Sequence, residues 1–196
     1  YDDIFLPLSG EHQARNAATA LAAVEAFFGA GGDRQLDVDK VREGFATVAS
    51  PGRLERVRAT PSVFIDASHN PHGAAALAKA VDRDFDFRRL IGVVGVLGDK
   101  DARGILAALE PVLDDVVITE VQSPRALPVD VLAEYARDAF GEERVHVAEQ
   151  LPTAVETAIQ LAEDDSDGML AGAGVLITGS VVTAGEARTL FAKKPE

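Results

Sequence analysis

The chain has no cysteine, which removes disulfides, thiol nucleophiles and thiolate metal sites together. It is also short of positive charge: 19 Lys and Arg stand against 32 Asp and Glu in 196 residues, a formal charge of −13 at pH 7. No basic footprint for a nucleic-acid backbone or an anionic membrane exists overall. Any bound phosphate has to be held by local groups, an arginine or a helix N-terminus, against a repelling net field. No stretch approaches the roughly 18 continuous apolar residues of a membrane span. The opening Tyr1-Asp2-Asp3 carries neither the basic nor the apolar part of a signal peptide. A soluble cytoplasmic protein with no nucleic-acid and no membrane partner is the expectation. Two phosphate motifs are missing as well: there is no G-x-x-x-x-G-K-[ST], and no G-x-G-x-x-G follows a predicted strand. The first residue is not Met, so a fragment of a longer protein is expected.

What is present is globular in composition, with 47% hydrophobic and 26% charged residues, and long enough for one domain with an appended piece. Residues 1–8 read as a short strand. Ala17, Leu21, Val24 and Phe28 recur at three- and four-residue steps and place a helix over 11–28, stopped by Gly29-Ala30-Gly31-Gly32. Val38, Val41, Phe45 and Val48 mark a second helix ending before Pro51-Gly52. Beyond that turn, strands are expected over 54–58, 62–66, 90–97, 115–121, 144–148 and 174–178. Helices are expected over 72–83, 102–113, 128–140, 152–164 and 183–191. A mobile loop is expected over 164–174. Continuous apolar runs such as Val175-Leu176-Ile177-Thr178 imply burial on both faces. The fold class is therefore α/β, a Rossmann-like, mainly parallel sheet flanked by helices. In such a sheet ligands gather beyond the C-terminal ends of the strands. That puts Asp66-Ala67-Ser68-His69, Gly98-Asp99-Lys100-Asp101, Gln122-Ser123-Pro124-Arg125 and Gly179-Ser180 on one rim.

Several of these residues have both a chemical and a plain reading. Asp66, His69 and His72 could ligate a metal, yet no third anchor is obvious, and Ser68 or Asn70 with Pro71 reads equally as a helix cap. Arg53 follows a turn that would aim it and could clamp a phosphate bidentately, or form a surface ion pair. Lys100 sits between two acids at a strand end, either in a site or in a solvated turn. His146 lies inside a strand pattern and is assigned to structure. Ser180 with His69 invites a nucleophile reading, but Thr178-Gly179-Ser180-Val181-Val182 lacks the G-x-S-x-G elbow, which argues against a hydrolase.

Taken in order, Gly10-Glu11-His12-Gln13-Ala14-Arg15-Asn16-Ala17, Pro51-Gly52-Arg53-Leu54-Glu55, Asp66-Ala67-Ser68-His69-Asn70-Pro71-His72, Gly98-Asp99-Lys100-Asp101 and Ile177-Thr178-Gly179-Ser180 followed by Gly185-Glu186 resemble the folylpolyglutamate synthase and dihydrofolate synthase family. This is a branch of the Mur ligase superfamily, and the likeness is to its C-terminal portion. The Asp-x-x-His-Asn-Pro-His form points to the folate branch rather than the peptidoglycan branch. The resemblance implies that residues 1–50 are the tail of a central ATPase domain and 51–196 a C-terminal Rossmann-like domain. It implies an ATP-dependent amide-forming ligase that phosphorylates a folate carboxylate and lets the amine of L-glutamate attack the acyl phosphate, with dihydropteroate as a further acceptor in bacterial members.

By the same resemblance, Asn16 would contact the adenine and His12 would lie close to the nucleotide. Arg53 would reach the ATP phosphates, Asp66 would bind the nucleoside, and His69 would stand near the phosphates or the acyl phosphate. Lys100 and Ser180 would hold the glutamate carboxylates. Ser68 stands where a small apolar or glycine-like residue is expected. Mg2+ would be held by the N-terminal ATPase domain of the same protein, leaving no metal ligand here. A monomer is implied for the intact enzyme and inactivity for the fragment. The alternatives are a free-standing Rossmann-like binding module and a peptidoglycan Mur ligase domain.

Overall fold

The alanine-rich run after Ser9-Gly10 folds as α1 (Glu11–Phe27), and the second periodic stretch as α2 (Val38–Ala46). The Asp37 carboxylate caps α2, accepting from the Asp39 amide at 2.9 Å. The computed structural model describes residues 1–29, 36–164 and 172–192. They fall into two units, Tyr1–Pro51 and Gly52–Glu196. The residues beyond Gly29 expected to stop α1, and most of the loop expected over 164–174, lie outside the described residues.

The strand expected over 1–8 does not form. A strand needs an edge to pair with, and the described residues of this unit include no other strand. Ile4 and Leu6 instead line a cavity of about 400 Å³ with Ala17, Leu21 and Phe45. Among its described residues the unit fully buries only Gly10, Gln13 and Val41. Phe5, Phe27 and Phe28 stay 68%, 83% and 66% exposed.

The second unit is a six-stranded sheet in the order β1-β2-β6-β3-β4-β5. Its strands are β1 (Glu55–Ala59), β2 (Ser62–Ile65), β3 (Arg89–Val94), β4 (Asp115–Ile118), β5 (Val145–Val147) and β6 (Ala173–Thr178). Only β1 is antiparallel, paired with β2. The alternation of strand side chains divides two cores. Phe64, Leu90, Val94, Val116, Ile118 and Leu176 face α3 (Pro71–Asp84), α4 (Ala102–Leu109) and α5 (Val129–Phe140). Val63, Ile65, Ile91, Val93, Val117, Val175 and Ile177 face α6 (Leu151–Asp164) and α7 (Val181–Leu190). Both faces of the central strands are dry, as their unbroken apolar runs required.

Three expected elements are shorter than their apolar patterns, one of them the strand over 115–121, which ends at Ile118. The helix over 102–113 ends at Leu109 and tightens into a 3-10 turn over Glu110–Val112, because Pro111 has no N–H to continue it. The strand over 90–97 ends at Val94. Val96 is nonetheless wholly buried, since the Leu127 amide donates to its carbonyl at 3.0 Å and ties the loop after β3 to the loop after β4. No helix among the described residues is long and apolar enough to cross a membrane.

Candidate functional site

β6 is the last strand in sequence but sits between β2 and β3. The chain leaves β2 and β3 toward the α3–α5 face and leaves β6 toward the α6–α7 face. The C-terminal ends of these three strands therefore border a topological switch point, where an α/β sheet opens a crevice for ligands. The strand ends are drawn close there. The Gly179 amide donates to Ser68 O at 3.1 Å, the Gly95 amide to Thr178 O at 3.3 Å, and Thr183 Oγ1 to Gly95 O at 3.2 Å. Gly179 has φ +105°, and a Cβ there would stand 2.6 Å from Gly95 O.

Asp66 leaves β2 and is 4% exposed. Its Oδ2 accepts from the Leu54 amide at 2.9 Å; its Oδ1 accepts from the Ser68 amide at 2.8 Å and from Ser68 Oγ at 2.5 Å. The Ala67 amide donates to Gly52 O at 2.8 Å. The Arg53 turn is thus fastened to the end of β2 from inside. Both neighbours of Arg53 are left-handed, Gly52 at φ +68° and Leu54 at φ +48°. Arg53 itself is exposed and has no hydrogen-bond or ion-pair partner among the described residues. Of the two sequence readings, the surface ion pair is the one the geometry does not form.

His69 is half-buried, and its Nδ1–H donates to Ala67 O at 3.0 Å. A carbonyl only accepts, so the proton sits on Nδ1 and Nε2 is left for a ligand. The capping reading of the next residues also holds. Asn70 Oδ1 accepts from the Gly73 amide at 2.8 Å, with Pro71 in the first turn of α3. One short segment does both, with Ala67 linking the arginine turn to the histidine. No group of three or more His, Asp or Glu among the described residues is placed to hold a metal ion.

Ser180 is 1% exposed and caps α7, its Oγ accepting from the Val182 amide at 3.1 Å. Lys100 is partly exposed and its Nζ lies 2.8 Å from Asp99 Oδ2, while Arg125 donates to Asp99 Oδ1 at 2.7 Å. These two cations hold the Asp99 carboxyl at about 2, down from an ordinary 3.8, with the Lys100 contact the larger cause. A carboxyl lowered in the folded state supports that state above its unfolded pKa, and the support is lost as pH falls through the folded one. The Asp99 ties should therefore persist down to about pH 3.8 and break as pH approaches about 2. A carboxyl NMR titration of Asp99 with its midpoint near 4 would refute this. Glu186 of α7 is raised by burial, offset in part by accepting from the Gln122 backbone amide.

His12 and Asn16 belong to the other unit, one turn apart on α1, half-buried and exposed. Asn16 Nδ2 donates to Gln13 Oε1 at 3.5 Å. His146 pairs within the sheet unit, its Nε2 3.3 Å from Asp115 Oδ1.

The switch-point crevice, the fastened arginine turn and the capped histidine segment all belong to one Rossmann-like α/β domain. Residues 52–181 match the family described as Mur ligase, glutamate ligase domain, and the chain belongs to that family. Over its whole length it is 60% identical to the dihydrofolate synthase/folylpolyglutamate synthase of Mycobacterium tuberculosis strain H37Rv, covering 42% of that protein. The chain thus spans under half the length of this relative. The crystal structure of Mycobacterium tuberculosis folylpolyglutamate synthase complexed with ADP and AMPPCP superposes with a TM-score of 0.95, covering 100% of this chain and 43% of that one at 60% identity. The bifunctional folylpolyglutamate synthase/dihydrofolate synthase of Yersinia pestis, complexed with AMPPNP and a manganese ion, gives a TM-score of 0.78 at 26% identity, covering 98% and 42%.

Proposed function

We propose that the chain is the C-terminal part of a cytoplasmic ATP-dependent ligase that adds L-glutamate to folate, with dihydropteroate as a further acceptor. In this reading residues 1–50 are the tail of a central ATPase domain and 51–196 the glutamate ligase domain. The observation that carries it is an exposed arginine with no partner among the described residues, held on a turn that the interior of the sheet unit fastens in place. A guanidinium held this way is ready for an anion and costs little to order when one arrives. The nearly coreless first unit, with its groove of about 550 Å³ lined by Leu21, Val24, Val41, Phe45 and Val48, suits a piece whose core is completed by a larger domain of the same chain. An apolar surface satisfied in that way also favours a monomer.

The reaction proceeds in two steps. A substrate carboxylate oxygen attacks the γ-phosphorus of ATP, the bond to the ADP oxygen breaks, and an acyl phosphate forms. The glutamate amine then attacks the acyl carbon, phosphate leaves with the bonding pair, and the nitrogen loses a proton. Arg53 would neutralise phosphate oxygens through both steps, and His69 would stand near the phosphates or the acyl phosphate. Asp66 would bind the nucleoside, although three internal hydrogen bonds already occupy its carboxylate. By the resemblance, Asn16 would contact the adenine and His12 would lie close to the nucleotide. Lys100 and Ser180 would hold the two glutamate carboxylates, with Ser180 at the N-terminus of α7 adding a favourable dipole. By the resemblance, Mg2+ would be held by residues of the ATPase domain of the longer protein.

The test is ATP-dependent attachment of labelled glutamate to tetrahydrofolate and to dihydropteroate, by the longer protein and by the 196-residue chain. Turnover by the former and silence from the latter are expected, because half a cleft cannot bring donor and acceptor into attack geometry. Silence of the longer protein on both acceptors would overturn the folate reading in favour of a binding module or a peptidoglycan ligase.

A further inference from the structure

The Arg53 turn has a second fastening, on the side away from Asp66. Glu55, the first residue of β1, accepts at its Oε2 from the Gly52 amide at 2.9 Å. The same oxygen accepts from Arg188 Nε at 2.8 Å. Both side chains are largely buried, 21% and 16% exposed, so the contact is poorly screened by solvent. Arg188 lies in the last turn of α7, the helix whose first residues hold Ser180 and, through Thr183, the carbonyl of Gly95. One helix therefore reaches both the crevice floor and the arginine turn.

A left-handed leucine is a strained residue that persists only where its surroundings over-determine it. Around Arg53 three backbone groups do this: the Gly52 amide on Glu55, the Gly52 carbonyl on Ala67 and the Leu54 amide on Asp66. Among the described residues, Arg188 is the cation that engages the Glu55 carboxylate. Without Arg188 a half-buried carboxylate loses its counter-charge and turns toward water, leaving the Gly52 amide without a fixed acceptor. The turn can then relax, and the guanidinium at its tip loses its aim.

We infer that the Glu55–Arg188 pair is a positioning device for Arg53, setting the direction of the phosphate-clamping arginine from α7. This rests on the reading of Arg53 given above. Neither residue touches a reacting atom, and their effect runs through the backbone of residues 52–54.

The experiment uses the longer protein with Arg188→Met, Arg188→Lys and Glu55→Gln, read by steady-state kinetics and by amide hydrogen exchange over residues 52–54. Arg188→Met should lower kcat by about 10–100-fold, the range usual when the support of a functional group is lost, with the KM for glutamate and folate little changed. Exchange at 52–54 should rise, Arg188→Lys should restore most of the rate, and Arg188→Met should add nothing in an Arg53→Ala background. Glu55→Gln, which keeps an acceptor for the Gly52 amide, should be the mildest and serves if Arg188→Met folds poorly. Unchanged exchange at 52–54 overturns the positioning role whatever the kinetics. Raised exchange with unchanged kcat overturns it too, as does an equal loss with and without Arg53. If Arg53→Ala alone leaves turnover intact, the phosphate-clamp reading has failed instead, and the exchange data still decide whether the pair holds the turn.

Discussion

Arg53→Ala in the longer ligase is expected to cut turnover by about 10²–10³-fold, the usual cost of removing one fixed donor from developing phosphoryl charge. Stability should hardly move. The side chain is exposed and has no described partner, and surface substitutions of that kind stay within about 0.5 kcal/mol. Arg53→Lys sharpens the test, because an ammonium keeps the charge but not the two-pronged fork, and should recover only part of the loss. The readings are kcat for glutamate addition and the urea midpoint. A variant that turns over normally removes Arg53 from the chemistry. A variant that loses rate and stability together places Arg53 in the fold instead.

Gly179→Ala should destabilise the sheet unit strongly. Its Cβ would meet backbone, Gly95 O at 2.6 Å and Gly95 C at 3.2 Å, which no rotamer change can relieve. The residue also sits at φ +105°, where an alanine is strained in any space. Neither strand end can retreat freely, since Gly95 donates to Thr178 O and Gly179 donates to Ser68 O. Backbone strain and overpacking together come to about 3–5 kcal/mol. Gly185→Ala is the matched control. That glycine is on the exposed face of α7 with nothing within 4 Å of an added Cβ, so the change should stabilise by about 0.5–1 kcal/mol through helix propensity. Urea midpoints that fail to separate the two variants would refute the close approach of β3 and β6.

The sheet was legible because its strands are buried on both faces, which leaves runs such as Leu90-Ile91-Gly92-Val93-Val94 with no polar alternation to confuse. The same signal overshot where a loop is buried as deeply as a strand, as at Val96. The strand expected over residues 1–8 does not form, and no pairing edge exists among the described residues of its unit. The start of α3 was readable from Asn70 and Pro71, whereas Asp101 and Ser180, which cap α4 and α7 in the same way, were not read as caps. At the site, Arg53 and His69 could be picked out by residue type and neighbouring turn chemistry. The second occupation of Asp66, holding Leu54 from inside, could not, because a carboxylate after a strand looks the same whether it meets a ligand or an amide. Arg188 gave no signal at all. It is an ordinary helical arginine 133 residues from its partner Glu55, and only the sheet order brings them together.

That order also governs how the domain comes off the ribosome. β6 pairs with β2 over Ser62–Ile65 and with β3 over Arg89–Val94, so until residues 173–178 have been synthesised the nascent chain carries two half-sheets with facing, unpaired, strongly apolar edges. Such edges invite pairing with other chains. Closing the sheet joins β2 and β3 to a strand far along the chain, so a chain that ends before β6 is expected to aggregate rather than form a smaller working domain.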